Sequence, residues 1–424
     1  MTAGQLINWG MPALAAEMLN ALDCQRTLPL YLQASLLPKA ERGELVVKAI
    51  DAFPQFVRFP NTLEEVAALE SIEECWFARH LLACFYYNKR SYGKAIALWQ
   101  RCVEMSPEFA DGWRGLAIHA WNKQHDYELA ARYLDNAYQL APQDARLLFE
   151  RDLLDKLSGV TPEKRLARLE NNLEIALKRD DMTAELLNLW HLTGQADKAA
   201  DILATRKFHP WEGGEGKVTS QFILNQLLRA WHLDAREPQQ ASELLHAALH
   251  YPENLSEGRL PGQTDNDIWF WQAVCANAQG DETEATRCLR LAATGDRTIN
   301  IHSYYNDQPV DYLFWQGMAL RLLGEQHTAQ QLFSEMKQWA QEMAKTSIEA
   351  DFFAVSQPDL LSLYGDLQQQ HKEKCLMVAM LAAAGLGEVA HYESARAELM
   401  AINPAWPKAA LFTTVTPFIF SYVH

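Results

Sequence analysis

The feature that most restricts how this chain can fold is a repeat. Leu82, Ala83, Tyr86, Ala95, Trp99, Cys102 and Pro107 set out a series of apolar, small and aromatic positions that closes on a proline. Trp113, Leu116, Ala117, Ala120, Ala130, Leu134, Ala137 and Pro142 take it up again with one extra residue in the turn, so that the two prolines lie 35 residues apart. A unit this short cannot bury a core of its own and has to stack on its neighbours. The spacing describes two antiparallel helices. Small residues where they cross let the backbones approach, larger side chains fill the groove that is left, and proline stops the second helix.

These offsets resemble the tetratricopeptide repeat, W-x2-L-G-x2-Y…A-x3-F…P over about 34 residues, with Arg79 in place of the opening tryptophan. The resemblance implies an all-α fold, an α-solenoid of helical hairpins wound as a right-handed superhelix. Looser copies follow: Ala273, Ala285 and Leu289 after Trp269; Gly317, Leu320, Ala329 and Phe333 after Leu313; and Ala383, Leu386, Ala395 and Leu399 after Ala379. Weaker units surround Trp190, Gly194, Ala199 and Leu203, then Ala230, Ala241, Leu245 and Ala248. The turn alanines 241, 285 and 329 are 44 apart both times, so roughly ten residues are inserted per repeat; such insertions emerge on one face, often the binding face. Residues 145–180 read as a further pair, with Pro162 in a first turn and Leu166, Leu169, Leu173 and Leu177 at helical spacing. About eight hairpins are expected after residue 70. The boundaries read from the sequence are a capping or junction region at 1–69, repeats at 70–208, repeats with long loops at 209–408 and an apolar tail at 409–424.

Four segments go beyond the generic repeat: Asn8-Trp9-Gly10, the stretch Phe56-Val57-Arg58-Phe59-Pro60 with Leu63-Glu64-Glu65, the loop Phe208 to Lys217, and Asp351 to Ser356 leading to Pro358-Asp359-Leu360-Leu361. Together they resemble the C-terminal part of bacterial YphG-type proteins, over nearly the whole chain. In that family a mutarotase-like β-sandwich precedes a tetratricopeptide array, and the genes lie among those of sugar transport and oxidation. The resemblance implies a bacterial, sugar-related setting, a β-sandwich domain of the same polypeptide as partner, and a Met1 that begins one piece of a longer protein.

Composition excludes several classes. With 54 acidic and 38 basic residues the net charge is −16, and no Lys/Arg run forms a phosphate-tracking stripe, so nucleic acid is not an expected partner. The seven cysteines, 24, 75, 84, 102, 275, 288 and 375, have no C-x-x-C spacing and read as reduced core residues of a cytoplasmic protein. The N-terminus carries Glu17 and Asp23 and no basic residue before Arg26, which fits neither a signal peptide nor a membrane span. The apolar tail is too short to cross a bilayer as a helix and is expected to pack on helices or on a partner.

The least repeat-like segment holds the candidate site. Gly213, Gly214 and Gly216 force a special turn from which His209, Trp211, Glu212, Glu215 and Lys217 project. Carboxylates beside an indole could bind a protein partner or a sugar, or do acid/base work on a glycosidic bond, and the plainer reading is a loop that caps helices and docks Trp211 in a groove. His302, Tyr304, Tyr305, Asn306 and Asp307 form a second polar, aromatic loop able to line the same surface; Phe352 and Phe353 read as groove filler. Lys217 is followed by Val218, not Ser or Thr, which removes a P-loop, and no G-x-S-x-G is present. His246 and His250 have two-ligand spacing but no evident third ligand. No catalytic residue, cofactor or metal is assigned. The leading expectation is an interaction scaffold with an acidic groove. The alternative is the helical part of a carbohydrate-active or carbohydrate-binding protein whose main site lies on the β-sandwich.

Overall fold

A computed structural model describes residues 2–22, 25–55, 58–233, 237–300, 307–349 and 362–423, and among these residues there are helices, turns and loops but no strand. The chain divides into two compact units, Met1–Leu154 with Asp351–Tyr364, and Asp155–Ala350 with Gly365–His424.

Unit 1 opens with α1 (Ala3–Asn8), α2 (Pro12–Ala21), α3 (Thr27–Ser35), α4 (Gly43–Ala52) and α5 (Leu63–Glu70). Thr2 and Thr62 start α1 and α5 with reciprocal capping boxes, to Gln5 and Glu65. The two repeats legible in the sequence follow, as α6 (Trp76–Asn88) on α7 (Tyr92–Met105) and α8 (Ala110–His119) on α9 (Tyr127–Leu140), with α10 (Ala145–Leu157) beyond. Their signature residues are the core: Ala95, Trp99, Cys102, Ala117, Ala130, Leu134 and Ala137 are all buried. Trp99 lies so close on Gly115 that a Cβ there would fall 2.3 Å from the indole. The extra residue of the second repeat is absorbed by a π-helical turn, Ala120–Gln124, which ends at His125 with φ 55°.

Unit 2 continues with α11 (Pro162–Asn171), α12 (Leu173–Ala176), α13 (Asp180–Leu192), α14 (Ala196–Thr205), α15 (Lys217–Leu233), α16 (Pro238–Ala248), α17 (Asn266–Ala278), α18 (Glu282–Ala292), α19 (Tyr312–Leu322), α20 (Gln326–Met343), α21 (Leu367–Leu386), α22 (Val389–Ile402) and α23 (Ala409–Val423). From α13 onward consecutive helices pack in pairs. Seven such pairs follow residue 70 among the described residues, α6 with α7 and α8 with α9 in unit 1 and five in unit 2. Pro162 opens α11 as expected, but the leucine series does not run on as one helix: the backbone breaks at Asn172, and Leu173 is exposed on the short α12.

The apolar tail is the helix α23, with Pro417 inside it. It packs along the first helices of the pairs. Phe418 meets Trp231 of α15 and Trp271 of α17, while Phe412 meets Phe314 and Trp315 of α19. Contacts with α13 and α21 extend this layer from the first to the last of the unit's helix pairs. The inner face that an open array would offer to a partner is therefore covered in unit 2 by the chain's own helix. No described helix is long and apolar enough to cross a membrane.

The six described cysteines are buried and unbridged; Cys24 lies outside the described residues. At Glu185 in unit 2 buried charge is compensated locally. Burial opposes the charge of Glu185, yet Lys156 and Arg165, hydrogen-bonded to it, outweigh that and hold its pKa down to about 2. A carboxylate depressed in the folded state contributes stability above its unfolded value and loses it as pH falls toward the folded one. Unit 2 is expected to lose stability between about pH 4.5 and 2, and Glu185→Gln to flatten that slope in urea titrations across the range. An unchanged slope would show that Glu185 is not the group responsible.

Candidate functional site

The connectors after α14, α16 and α18 are long, and they meet. Arg206 turns the chain out of α14 by holding Asp180 through two guanidinium nitrogens, at 2.9 and 2.6 Å. His209 lies on the same carboxylate, through its amide at 3.0 Å and its ring at 3.2 Å. The next connector clasps the first. The Phe208 amide donates to the Asn254 carbonyl at 2.8 Å, Ser256 donates to the Phe208 carbonyl at 2.6 Å, and Glu257 accepts from the Gly216 amide at 2.9 Å.

Inside this clasp the glycines act as the sequence requires. Gly213 and Gly216 have φ of 77° and 75°, and Trp211 folds back over Gly214 so closely that a Cβ would sit 2.0 Å from the indole.

Together the loops enclose a cavity of about 550 Å³. Trp211, Glu212 and Glu215 line its mouth, and Ile223, Leu224 and Leu227 of α15 form one wall. Deeper in stand Tyr251, Gln263, Asp267, Tyr312 and Lys408. The tyrosines are held neutral, since burial raises the pKa of both, most strongly at Tyr312. Gln263 donates to the Tyr251 hydroxyl at 3.0 Å. Lys408, just before α23, is hydrogen-bonded to Asp311, just before α19.

Of the residues singled out in the sequence, Trp211, Glu212 and Glu215 reach the cavity. His209 instead serves Asp180, and Lys217 opens α15. Tyr304, Tyr305 and Asn306, with His302, Phe352 and Phe353, lie outside the described residues, although Asp307 and Gln308 line the same cavity as Trp211. His246 and His250 meet edge to face, with ring centroids 5.1 Å apart. Sequence reasoning passed over Asp267, Tyr312 and Lys408. Their available signal was a charged residue abutting an apolar run, as in Asn266-Asp267-Ile268-Trp269-Phe270-Trp271 and Asp311-Tyr312-Leu313-Phe314-Trp315.

The chain is thus, by its coordinates, an all-α protein of stacked helical hairpins with a loop-built cavity in its second unit. No family model matches it. Among solved structures it is similar to Naa15/Naa10 bound to HypK-THB, at 13% identity and a TM-score of 0.37 over 93% of this chain and 56% of that one. It is also similar to the TPR domain of P58(IPK), at 16% identity and a TM-score of 0.27 over 76% of this chain and 87% of that one. The chain spans little more than half the length of the first.

Proposed function

We propose that the protein is a binding scaffold, and that unit 2 recognises an extended peptide segment of a protein partner at the Trp211 cavity. One observation carries this reading: connectors from three successive hairpins converge on a single cavity, with an aromatic mouth and an apolar wall, while α23 covers the inner face. Stacked helices hold such loops in fixed positions, and loops on a rigid frame are where recognition residues concentrate. An indole at the mouth of an apolar, partly desolvated pocket is the side chain most often found to dominate binding energy.

The resemblance to YphG-type proteins suggests a β-sandwich as the source of that segment. It also supports a second reading, a sugar laid on Trp211 between Glu212 and Glu215. Panning the full chain against a displayed library of random linear peptides tests the first reading. Enriched peptides are expected to lose about 2 kcal/mol of affinity, some thirtyfold, to Trp211→Ala. Peptides that bind the variant as well as the wild type would place recognition elsewhere. Mono- and oligosaccharides that quench tryptophan emission at millimolar concentration, with no peptide enriched, would favour the sugar.

A further inference from the structure

The deep end of the cavity defines the chemistry of what enters it, if the binding reading above holds. Asp267, in the first turn of α17, is 1% exposed and faces the cavity. Its carboxylate accepts from backbone amides, that of Ile268 at 2.9 Å and its own, although a carboxylate has room for about four hydrogen bonds. Among the described residues no side chain donates to it. Lys408 is the cation whose charge Asp267 feels most, but its ammonium is hydrogen-bonded to Asp311. A carboxylate so placed has acceptor sites to spare, and leaving them unfilled in a buried position is costly.

Its surroundings select the donor. Glu212, Glu215, Glu257 and Asp307 also line the cavity, and Lys408 is the single cation among the described lining residues. The neutral rings of Trp211, Tyr251 and Tyr312 line the same cavity as Asp267, and aromatic faces attract cations. An anionic ligand would meet carboxylates on the way in. An uncharged hydroxyl or amide could donate a hydrogen bond to Asp267 but would bring it no counter-charge.

We propose that the cavity takes an ammonium group on an unbranched aliphatic stem, with Asp267 as its acceptor and the aromatic rings along the stem. The group that fits is a lysine side chain of the bound peptide; a free diamine carries the same chemistry.

The proposal has a pH signature. Burial pushes the Asp267 carboxyl up to about 6, with Lys408 opposing and Asp311 adding to the shift. Burial lowers the Lys408 pKa but Asp311 and Asp267 raise it by more, so that it stays charged through that range, and Tyr251 and Tyr312 stay protonated. In the adjoining connector Arg259 is paired with Asp265, and Glu257 accepts from Gly216 and Thr219. An amine ligand remains charged below pH 10 or so, so affinity falls as Asp267 takes its proton, roughly tenfold between pH 7 and pH 5.

The test uses the full chain with three probes by calorimetry: a lysine-containing peptide from the panning, the same peptide with its lysine acetylated, and 1,5-diaminopentane. Acetylation and Asp267→Asn are each expected to weaken the lysine peptide at least tenfold, and the variant to lose the pH dependence. The wild-type pH profile stands as a measurement even if the variant folds poorly. Peptides that bind without lysine, or unaffected by acetylation, overturn the ammonium proposal and leave the peptide reading intact. Diaminopentane binding through Asp267 while no peptide binds supports the ammonium site and overturns the peptide reading. Absence of binding by all three probes overturns both.

Discussion

Phe333→Ala is expected to destabilise unit 2 by about 3–5 kcal/mol, the range for removing a fully buried aromatic ring. The ring, on the second helix of its pair, is fully buried between two glycines, Gly317 on α19 and Gly385 on α21. A Cβ at either position would fall 2.3 or 2.4 Å from a ring carbon. Arg321 lies over the same ring at 5.5 Å and donates to the Gly385 carbonyl at 2.6 Å. Glycine inside a helix costs about 0.5–1 kcal/mol relative to alanine, so two of them facing one ring mark a notch that stability requires. Gly385→Val is accordingly expected to cost about 1–3 kcal/mol through overpacking. With Phe333→Leu, the double variant should lose less than the sum of the two changes, because the smaller side chain vacates the clash. Urea unfolding of the four proteins measures the coupling; strict additivity would mean that ring and glycines do not share the notch.

Arg114→Ala should be as damaging in unit 1, at about 3–5 kcal/mol, for a different reason. Arg114 on α8 and Glu150 on α10 are both buried, and the guanidinium grips the carboxylate through Nε at 2.7 Å and Nη2 at 2.5 Å. Removing the arginine strands a carboxylate inside the unit, where desolvation is unpaid by any partner charge. Replacing both partners together, Arg114→Met with Glu150→Leu, is expected to recover most of the loss, since an apolar pair needs no counter-charge. Hydrogen exchange of the α8 amides against denaturant reads the two cases separately. If the single variant costs less than about 1 kcal/mol, the pair is hydrated and its burial is not what matters.

The contrast between these sites explains what could be read before the coordinates. Gly317, Ala329 and Phe333 sit at fixed offsets because a helix crossing repeats every pair, and periodic packing leaves a periodic trace. Arg114 and Glu150 form their pair once, and a pairing made once has no period. The same holds at the cavity. Its mouth was visible because three glycines crowd around Trp211, whereas Asp267, Tyr312 and Lys408 come together only when α17, α19 and the approach to α23 converge. Local backbone demands write themselves into neighbouring residues; chemistry assembled from distant helix ends does not. The break at Asn172 leaves no such trace, because Leu166 and Leu169 before it and Leu173 and Leu177 after it keep one helical interval.

One helix also changes how unit 2 must reach its native state. Arrays of hairpins are built from near-neighbour contacts, which lets them form piecemeal and quickly. Here α23 touches α13, α15, α17, α19 and α21, elements spread over some two hundred preceding residues. During synthesis the earlier hairpins of this unit emerge with Trp231, Trp271 and Trp315 still lacking the phenylalanines that cover them. Those contacts can form only once Ala409–Val423 has left the ribosome, so the long-range part of the unit's packing is expected to come last.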